Sequence, residues 1–510
     1  MSDAHDRGIT VTEIAPMDQP IDASAETTAA FVGRALRGPL DTPVLITSFA
    51  AFRRRFGGFW SGSSLGPAVE QFFSHGGKQV YVVRVANNAR GAMICLPATH
   101  GVLVLRAIEP GSAEHVRAAV DYDGINEQED TLFNLTLQRV APDTGFVLDQ
   151  EIYRRLTCEP GKERSVDDVL VSSSLVRVQE PVPAERPALT NSGYVEPAQA
   201  GSDGQPLSDY DLVGSAGRGT GMFALNQVEN IDLLYLPPPA PGKVPGPAAI
   251  LAAELYCRGR GAMLILDPPE EWRSTYDAIK GIRNAGYANP DVFSYFPRAR
   301  IRGDDHSPTV PIGGAITGLL CKLDRLHGPW EDLDQHGFAL DRELVPAIDI
   351  FSSDAHLLVK EGLNVIAGPN PGHTMVCGSV TLAHGTQPGD EFAVLTTRRL
   401  CLAITNAIDQ STRWAVFEPN AAAAREKIVS KVHAFMCALS DAGAFADNQF
   451  LVQCDAGSNR QPVNPDKGIT ILLAFHPAGS AETISLTLHQ TASGCRVATT
   501  AFAPVRAEVA

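Results

Sequence analysis

The chain has 510 residues, of which 44% are hydrophobic and 20% are charged, and its formal net charge is −16. This composition is ordinary for a globular protein of roughly two to four domains, and the lack of a basic surplus argues against binding to nucleic-acid phosphates. The nine cysteines are scattered without a CxxC pair, so we expect reduced thiols rather than a disulfide framework. No apolar run of about 18 residues and no secretion signal are evident, so we expect neither a membrane span nor ordinary secretion.

The first 27 residues are predicted to form an extended arm. Residues 8–14 form a short segment rich in β-branched residues, and Pro16 and Pro20 interrupt the chain that follows. Such a strand is either an edge strand of its own domain or a strand added to the sheet of another chain. Strand addition depends mainly on main-chain hydrogen bonds.

Residues 28–100 are predicted to be compact α/β structure. Apolar runs at 28–33, 43–46 and 79–85 predict buried strands, and helical spacing predicts two helices between them, the first capped by Ser48 and the second by Ser63 or Ser64. Gly62 to Gly66 also matches the GxSxG pattern of a hydrolase nucleophile, which would make Ser64 catalytic. That motif requires a preceding strand, whereas a loop precedes it here, so we favour a capping role.

Residues 101–224 are predicted to be an inserted β-rich region. Strand-like segments lie at 101–105, 131–137 and 169–178, and residues 179–220 are rich in Pro, Gly, Ser and Asp. The latter composition predicts a long loop or linker.

Residues 225–412 return to alternating strands and helices. Strands are predicted at 230–236 and 262–266 and helices at 248–256 and 274–284, a pattern typical of a mostly parallel sheet. Asp267 follows the second of these strands, where α/β enzymes place catalytic groups, although Asp-Pro-Pro is also a plain strand ending. The acidic and histidine residues at 304–306 are adjacent in a loop and cannot all face one metal ion, so no metal site is expected.

The C-terminal part combines a predicted strand at 414–417, a helix at 421–441 and further strands from residue 450. Apolar residues at one helical face define a buried stripe: Ile428, Val432, Phe435, Met436 and Leu439. Lys427 and Lys431 lie one turn apart on the flank of that stripe, and Arg425 lies in the first turn. These cations are either solvated or dock onto a partner. Alternation at 483–489 predicts a strand with one buried face.

Several long segments of the chain resemble one protein family. They are AAFVGRALRGPL, FFSHGGKQVYVVRV, NIDLLYLPPP, VPIGGAITGLLCKLDRLHGPW, EGLNVIAG, RRLCLAITNAID and WAVFEPN, in this order. Their sequence and order resemble contractile tail sheath proteins, which build the sheaths of phage tails, R-type pyocins and phage-like extracellular injection systems. The resemblance leaves open which of these systems the chain comes from.

The resemblance implies a fold. It is an α/β core with a mostly parallel sheet, formed by residues 28–100 and 225–475, an inserted β-rich outer domain at 101–224, and β-arms at 1–27 and 476–510. In this interpretation the arm strands that join neighbouring subunits contain Ile9, Val11, Ile14, Ile484, Leu486 and Leu488. Helix 421–441 would face an inner tube with Arg425, Lys427 and Lys431.

The resemblance also implies a function, that of a structural subunit rather than an enzyme. Hexameric rings would stack around an inner tube protein, bind baseplate and tail-terminator proteins, and contract to drive the tube through a membrane, with no cofactor, no metal and no direct nucleic-acid contact. Assembly would take place in the bacterial cytoplasm, followed by release through lysis. The alternatives are an α/β hydrolase-like enzyme using Ser64 or Asp267, and a static shell or binding module.

Overall fold

The computed structural model describes residues 20–23, 26–141, 144–191, 193–303, 308–370, 373–385, 390–417, 421–454, 468–480, 482–491 and 494–499. The predicted arm strand at 8–14 and the acidic cluster at 304–306 therefore lie outside the described residues. Within the described ranges, no helix is long and apolar enough to cross a membrane. In the same ranges, no group of three or more His, Cys, Asp or Glu side chains is placed to hold a metal ion.

The strands, in chain order, are β1 (Ala29–Gly33), β2 (Pro43–Ile46), β3 (Val80–Arg84), β4 (Met93–Ala98), β5 (Gly101–Ala107), β6 (His115–Asp121), β7 (Leu132–Val140), β8 (Val147–Thr157), β9 (Val176–Gln179), β10 (Leu233–Tyr235), β11 (Met263–Leu266), β12 (Val292–Phe296), β13 (Ala299–Ile301), β14 (Leu344–Pro346), β15 (Asn364–Asn370), β16 (His373–Cys377), β17 (Phe445–Gln453), β18 (Ile469–Pro477), β19 (Ile484–Thr491) and β20 (Gly494–Thr499).

The α-helices are α1 (Phe49–Phe56), α2 (Leu65–Ser74), α3 (Val166–Leu170), α4 (Asp209–Val213), α5 (Pro247–Arg260), α6 (Thr275–Ala285), α7 (Gly313–His327), α8 (Ser352–Lys360), α9 (Leu395–Thr412) and α10 (Ala421–Asp441). Short 3-10 segments lie at Gly221–Gln227, Glu391–Ala393 and Arg413–Phe417.

The central sheet has the strand order β16-β15-β12-β11-β10-β1-β3-β2. Its six inner strands are parallel and its two edge strands, β2 and β16, are antiparallel to their neighbours. All five residues of β1 are buried, because Ala29 and Phe31 face one hydrophobic core while Ala30 and Val32 face a second on the opposite side of the sheet. The predicted mostly parallel sheet, buried on both faces, is therefore confirmed.

Helices cover both faces of this sheet. Helices α1, α2 and α7 contribute to the first core, and α5, α6 and α8 contribute to the second. Helices α2 and α7 approach closely because α7 carries glycine at the contact: a Cβ atom on Gly314 would lie 2.3 Å from the Ala68 carbonyl oxygen, and one on Gly318 would lie 2.4 Å from that of Phe72. The predicted Ser48 cap of α1 is also confirmed, since its hydroxyl accepts a hydrogen bond from the Ala51 amide at 3.1 Å.

Between the two halves of the sheet, the chain forms two antiparallel three-stranded sheets, β4-β5-β9 and β6-β7-β8, around a core of their own. The predicted strands at 101–105 and 131–137 are confirmed as parts of β5 and β7. The predicted strand at 169–178 was wrong in its first half, because residues 166–170 form helix α3 and only β9 is extended. Ser173 and Ser174 turn the chain between them, donating hydrogen bonds to Glu151.

The predicted long loop at 179–220 lacks regular strands but packs against the region before it. Isolated antiparallel bridges join Pro187 to Ala98, Val195 to Ala118 and Gln199 to Met93. The segment then forms α4, where Asp209 accepts hydrogen bonds from the first amides of α5. The Pro, Gly and Ser content therefore predicted the irregular backbone correctly but gave no information about these contacts.

The C-terminal part forms a third packing unit from α9, α10 and the antiparallel sheet β17-β18-β19-β20. The predicted strand at 414–417 is wrong: α9 runs directly into the 3-10 segment Arg413–Phe417. Within that segment, Ala415 is buried while the Phe417 side chain is 72% exposed, which does not fit a buried strand.

Candidate functional site

Helix α10 is the long helix that the sequence singles out, and it extends over 21 residues as predicted. Its apolar stripe, from Ile428 to Leu439, is buried against the C-terminal sheet. Gly443 follows with φ +88°, which lets the backbone leave the helix in the left-handed region that favours glycine. The opposite side of the helix is exposed and is available for contact with a partner.

The three predicted cationic residues of α10 do not form one edge. Lys427 is exposed and Lys431 is half-buried, with its Nζ atom 5.8 Å from the centre of the Trp414 ring. Arg425 instead lines an open groove with Val429, His433 and Cys454. Successive residues of an α-helix are about 100° apart, so Arg425 and Lys427 point in opposite directions while Lys427 and Lys431 share a flank. The cationic surface is therefore the lysine pair alone.

An aromatic surface beside this lysine pair was missed from the sequence. The 3-10 segment places Trp414 next to Lys431, and the Trp414 indole donates a hydrogen bond to the Ser411 carbonyl at 2.8 Å. Phe417 is largely exposed at the end of the same segment. The sequence contained one indication of this placement, since the helical pattern of α9 continues up to Trp414 and no turn residue separates the helix from Trp414.

The predicted C-terminal arm strand has both edges occupied within its own chain. Strand β19 pairs with β18 over seven residue pairs and with β20 over six. The side chains of Ile484, Leu486 and Leu488 are buried in the C-terminal core. In this arrangement the outer strands of the sheet are β17 and β20, so a strand from another chain would add to one of those edges rather than to β19. The joining of subunits by this strand stays a prediction.

Ser64 is not placed as a hydrolase nucleophile. It directly precedes α2, and the preceding residues 57–63 contain no strand, so the strand-turn-helix geometry of the motif is missing from this described segment. Of the two predicted caps of α2, Ser63 or Ser64, the structure selects Ser63, because the Ser64 side chain makes no capping hydrogen bond. Ser63 does so instead: its hydroxyl accepts from the Leu65 amide at 3.0 Å and donates to the Arg34 carbonyl at 2.5 Å.

Asp267 is half-buried, and both of its carboxyl oxygens accept hydrogen bonds from the protein. One carboxyl oxygen accepts from the amides of Ile312 and Gly313 at 3.0 and 2.9 Å, at the start of α7. The other accepts from the Tyr235 hydroxyl. Burial raises the pKa of Asp267, and the hydrogen bond from Tyr235 and the nearby Arg298 oppose that rise. With both oxygens bound by protein donors, the carboxyl group links β10 and β11 to α7, which favours the structural interpretation over catalysis.

Comparison with known proteins gives a consistent result. No family model matches the chain. A curated tail sheath protein of Vibrio phage KVP40 is 26% identical over 188 residues, which is 36% of this chain and 27% of that protein, so the match spans about a quarter of the relative's length. The sheath tail protein of Listeria innocua has a similar fold, with a TM-score of 0.62 and 13% identity over 94% of this chain and 98% of that one.

A second solved structure extends the similarity to another kind of assembly. The PVC sheath complex of an extracellular contractile injection system, in its contracted state, gives a TM-score of 0.51 and 13% identity over 94% of this chain and 96% of that one. Sequence and fold together confirm the predicted resemblance of this chain to the sheath proteins of contractile phage tails and injection systems.

Proposed function

We propose that this chain is the structural subunit of a contractile sheath. Six copies form a ring around an inner tube, rings stack into a helical cylinder, and contraction of the cylinder drives the tube through a target membrane. The observation that carries this proposal is the shared fold, which extends over 94% of the chain. The remaining parts of the proposal follow from the resemblance and from the surfaces described above.

Joining of subunits is proposed to occur by strand addition. Residues 1–27, with Ile9, Val11 and Ile14, supply the added strand, and the C-terminal sheet containing Ile484, Leu486 and Leu488 receives it from a neighbour. Main-chain hydrogen bonds provide most of the affinity in such contacts and tolerate changes of side chain. A free-energy difference of about 1–3 kcal/mol per subunit between the extended and contracted arrangements, the usual scale of coupling free energies, is then sufficient to drive contraction, because it is multiplied over the subunits of the cylinder.

Contact with the inner tube is proposed to occur through the exposed side of α10. Lys427 and Lys431 present positive charge on a chain of net charge −16, which suits an acidic surface on the tube. An exposed ion pair contributes only about 0.2–1 kcal/mol and is weakened by salt. Such weak contacts can break when the sheath contracts. Baseplate and terminator proteins are proposed as the partners at the two ends, and the particle as a phage tail or a phage-like device.

The test is to change both lysines, Lys427→Glu and Lys431→Glu, and to co-express the protein with the tube protein from the same gene cluster. We expect a folded subunit that forms few sheathed tubes, with the defect largest at low salt. A matched control reverses the charge of Lys243 and Lys280, two exposed lysines in the central α/β part of the chain. Tube contact through this flank is wrong if the α10 variant assembles around the tube as efficiently as the control at low and high salt alike.

A further inference from the structure

The loop that follows β5, residues 108–114, connects the β-rich region with the central sheet through direct contacts. Gly111 has φ +143°, and a Cβ atom at this position would lie 2.7 Å from the Leu36 carbonyl oxygen and 3.2 Å from an Arg84 guanidinium nitrogen. Leu36 follows β1, and Arg84 ends β3, so the loop lies against the carboxyl ends of these two inner strands of the central sheet. Two glutamates of this loop, Glu109 and Glu114, therefore lie where the β-rich region contacts the central sheet. We call this contact, formed by residues 34–40 and 105–116, the joint.

The carboxyl groups of these two glutamates are almost completely buried, with side-chain exposures of 7% and 1%. Glu109 Oε1 lies 2.6 Å from Arg55 Nη2, and Glu114 Oε2 lies 3.2 Å from Arg139 Nε. The second oxygen of each group, Glu109 Oε2 and Glu114 Oε1, has no hydrogen-bond partner, although Glu109 Oε2 lies within ion-pair distance of Arg139. Arg139 contacts both carboxyl groups, with Nη2 3.8 Å from Glu109 Oε2 and Nε 3.2 Å from Glu114 Oε2, so the two groups lie beside one guanidinium group. A hydrogen bond between them requires a proton on one of them.

Positive groups surround the pair, and three of them also bind other groups of the protein. The charged groups facing it are Arg55 from α1, Arg37 from the segment before β2, Arg84 from β3, Arg139 from β7 and Asp149 from β8, with Arg34 and Asp203 next to Arg84. Arg84 donates to the carbonyl groups of Ala35 and Gly38 at 3.0 and 2.5 Å. Arg37 donates to the Arg54 carbonyl at 2.8 Å, and Arg139 also contacts Asp149 at 3.3 Å.

Desolvation therefore outweighs the attraction of these cations. The pKa of Glu114 is raised to about 7, chiefly by burial and also by Glu109, while Arg139 and Arg37 oppose the rise. A folded-state pKa above the ordinary value of 4.5 means that the folded protein holds the proton more tightly than the unfolded chain. The stability that this proton provides is present at low pH and is lost as the pH rises towards and through about 7.

We propose that Glu109 and Glu114 form a proton-binding site that fastens the β-rich region to the central sheet. With one shared proton, each carboxyl oxygen has a partner and the pair carries a single negative charge beside Arg55 and Arg139. When the proton leaves, two buried carboxylates face each other, and the joint opens to admit water. The proposal rests on contacts within one chain and does not depend on the proposed sheath function.

The experiment measures hydrogen exchange in the full chain at about pH 6 and about pH 8, on either side of the expected transition, with rates corrected for intrinsic exchange. In the parent protein, we expect residues 34–40 and 105–116 to exchange about tenfold faster at the higher pH. In Glu114→Gln the side-chain amide donates to Glu109 without titrating, so the same peptides should stay protected at both pH values. Asp149→Asn is the matched control, because Asp149 contacts the same Arg139 but is 56% exposed, and it should behave like the parent.

A second readout detects the proton itself. The infrared difference spectrum between about pH 6 and about pH 8 should contain a protonated carboxyl component in the parent protein that is missing from the same difference spectrum of Glu114→Gln. Other buried carboxyl groups, such as Asp232 with its pKa of about 6, contribute equally to both spectra and cancel in the comparison. If Glu114→Gln fails to fold, Glu109→Gln replaces it, since its amide can donate to Glu114 in the same way. Equal pH responses in the parent and the folded Gln variant, by exchange and by infrared, would overturn the proposal, as would a parent protein whose joint does not respond to pH.

Discussion

Replacing Asp267 with alanine should destabilise the protein strongly, because three buried donors would lose their acceptor. The Tyr235 hydroxyl is completely buried, and the amides of Ile312 and Gly313 open helix α7. An unsatisfied buried donor costs about 1–3 kcal/mol, and removing one member of a buried charged network costs about 3–5 kcal/mol. We therefore expect a loss of about 3–5 kcal/mol for Asp267→Ala.

The loss should be concentrated at the start of α7. Hydrogen exchange of the first turn of α7 measures it locally, and about 3 kcal/mol corresponds to roughly a hundredfold faster exchange, since each 1.4 kcal/mol is a factor of ten. Tyr235→Phe removes a single donor and should cost about 0.5–1.5 kcal/mol. The double variant should cost less than the sum of the two single changes, because both act on one network. Asp267→Ala with unchanged exchange and an unchanged denaturant midpoint would refute the structural role of this carboxyl group.

Three further predictions concern other parts of the chain. Ser63→Ala should cost about 1 kcal/mol of stability, since its hydroxyl caps the start of α2, whereas Ser64→Ala should have almost no effect. A larger loss of stability for Ser64→Ala than for Ser63→Ala, measured by denaturant titration, would show that Ser64 is the cap. Gly318→Ala should destabilise the protein by about 1–3 kcal/mol, because the new Cβ atom would clash with a backbone carbonyl of α2. Gly259→Ala, in open space on α5, should instead stabilise the protein by about 0.5–1 kcal/mol. Equal shifts of the melting temperature for the two variants would contradict this packing. Removal of residues 1–20 should leave a folded body by circular dichroism that forms no connected cylinders, and normal contracted cylinders would disprove the arm assignment.

The central sheet could be predicted from sequence because its signals are local. Residues 28–33 and 79–85 form continuous apolar runs, and such runs indicate strands buried on both faces, as β1 and β3 are. The stripe of α10 repeats with the helical period over three turns, which leaves little ambiguity. Residues 414–417 were misassigned because a short apolar run does not distinguish a strand from a single helical turn, and the deciding contacts come from α9 and α10.

The candidate surfaces were predicted only in part, for a similar reason. A spacing of four residues correctly placed Lys427 and Lys431 on one flank of α10, and the same geometry could have separated Arg425 from them. The Glu109–Glu114 pair could not be predicted, because its environment depends on Arg55 and Arg139, which come from distant elements. Pairing of β19 on both edges could not be predicted either, since alternation reveals a buried face but not the neighbouring strands.

The most direct test of the sheath function is electron microscopy of the purified 510-residue chain under conditions that favour assembly. The proposal predicts long hollow cylinders built from stacked sixfold rings, formed without added metal or nucleotide. Discrete small particles under all conditions, or cylinders that disappear with a chelator and return with one metal ion, would contradict it.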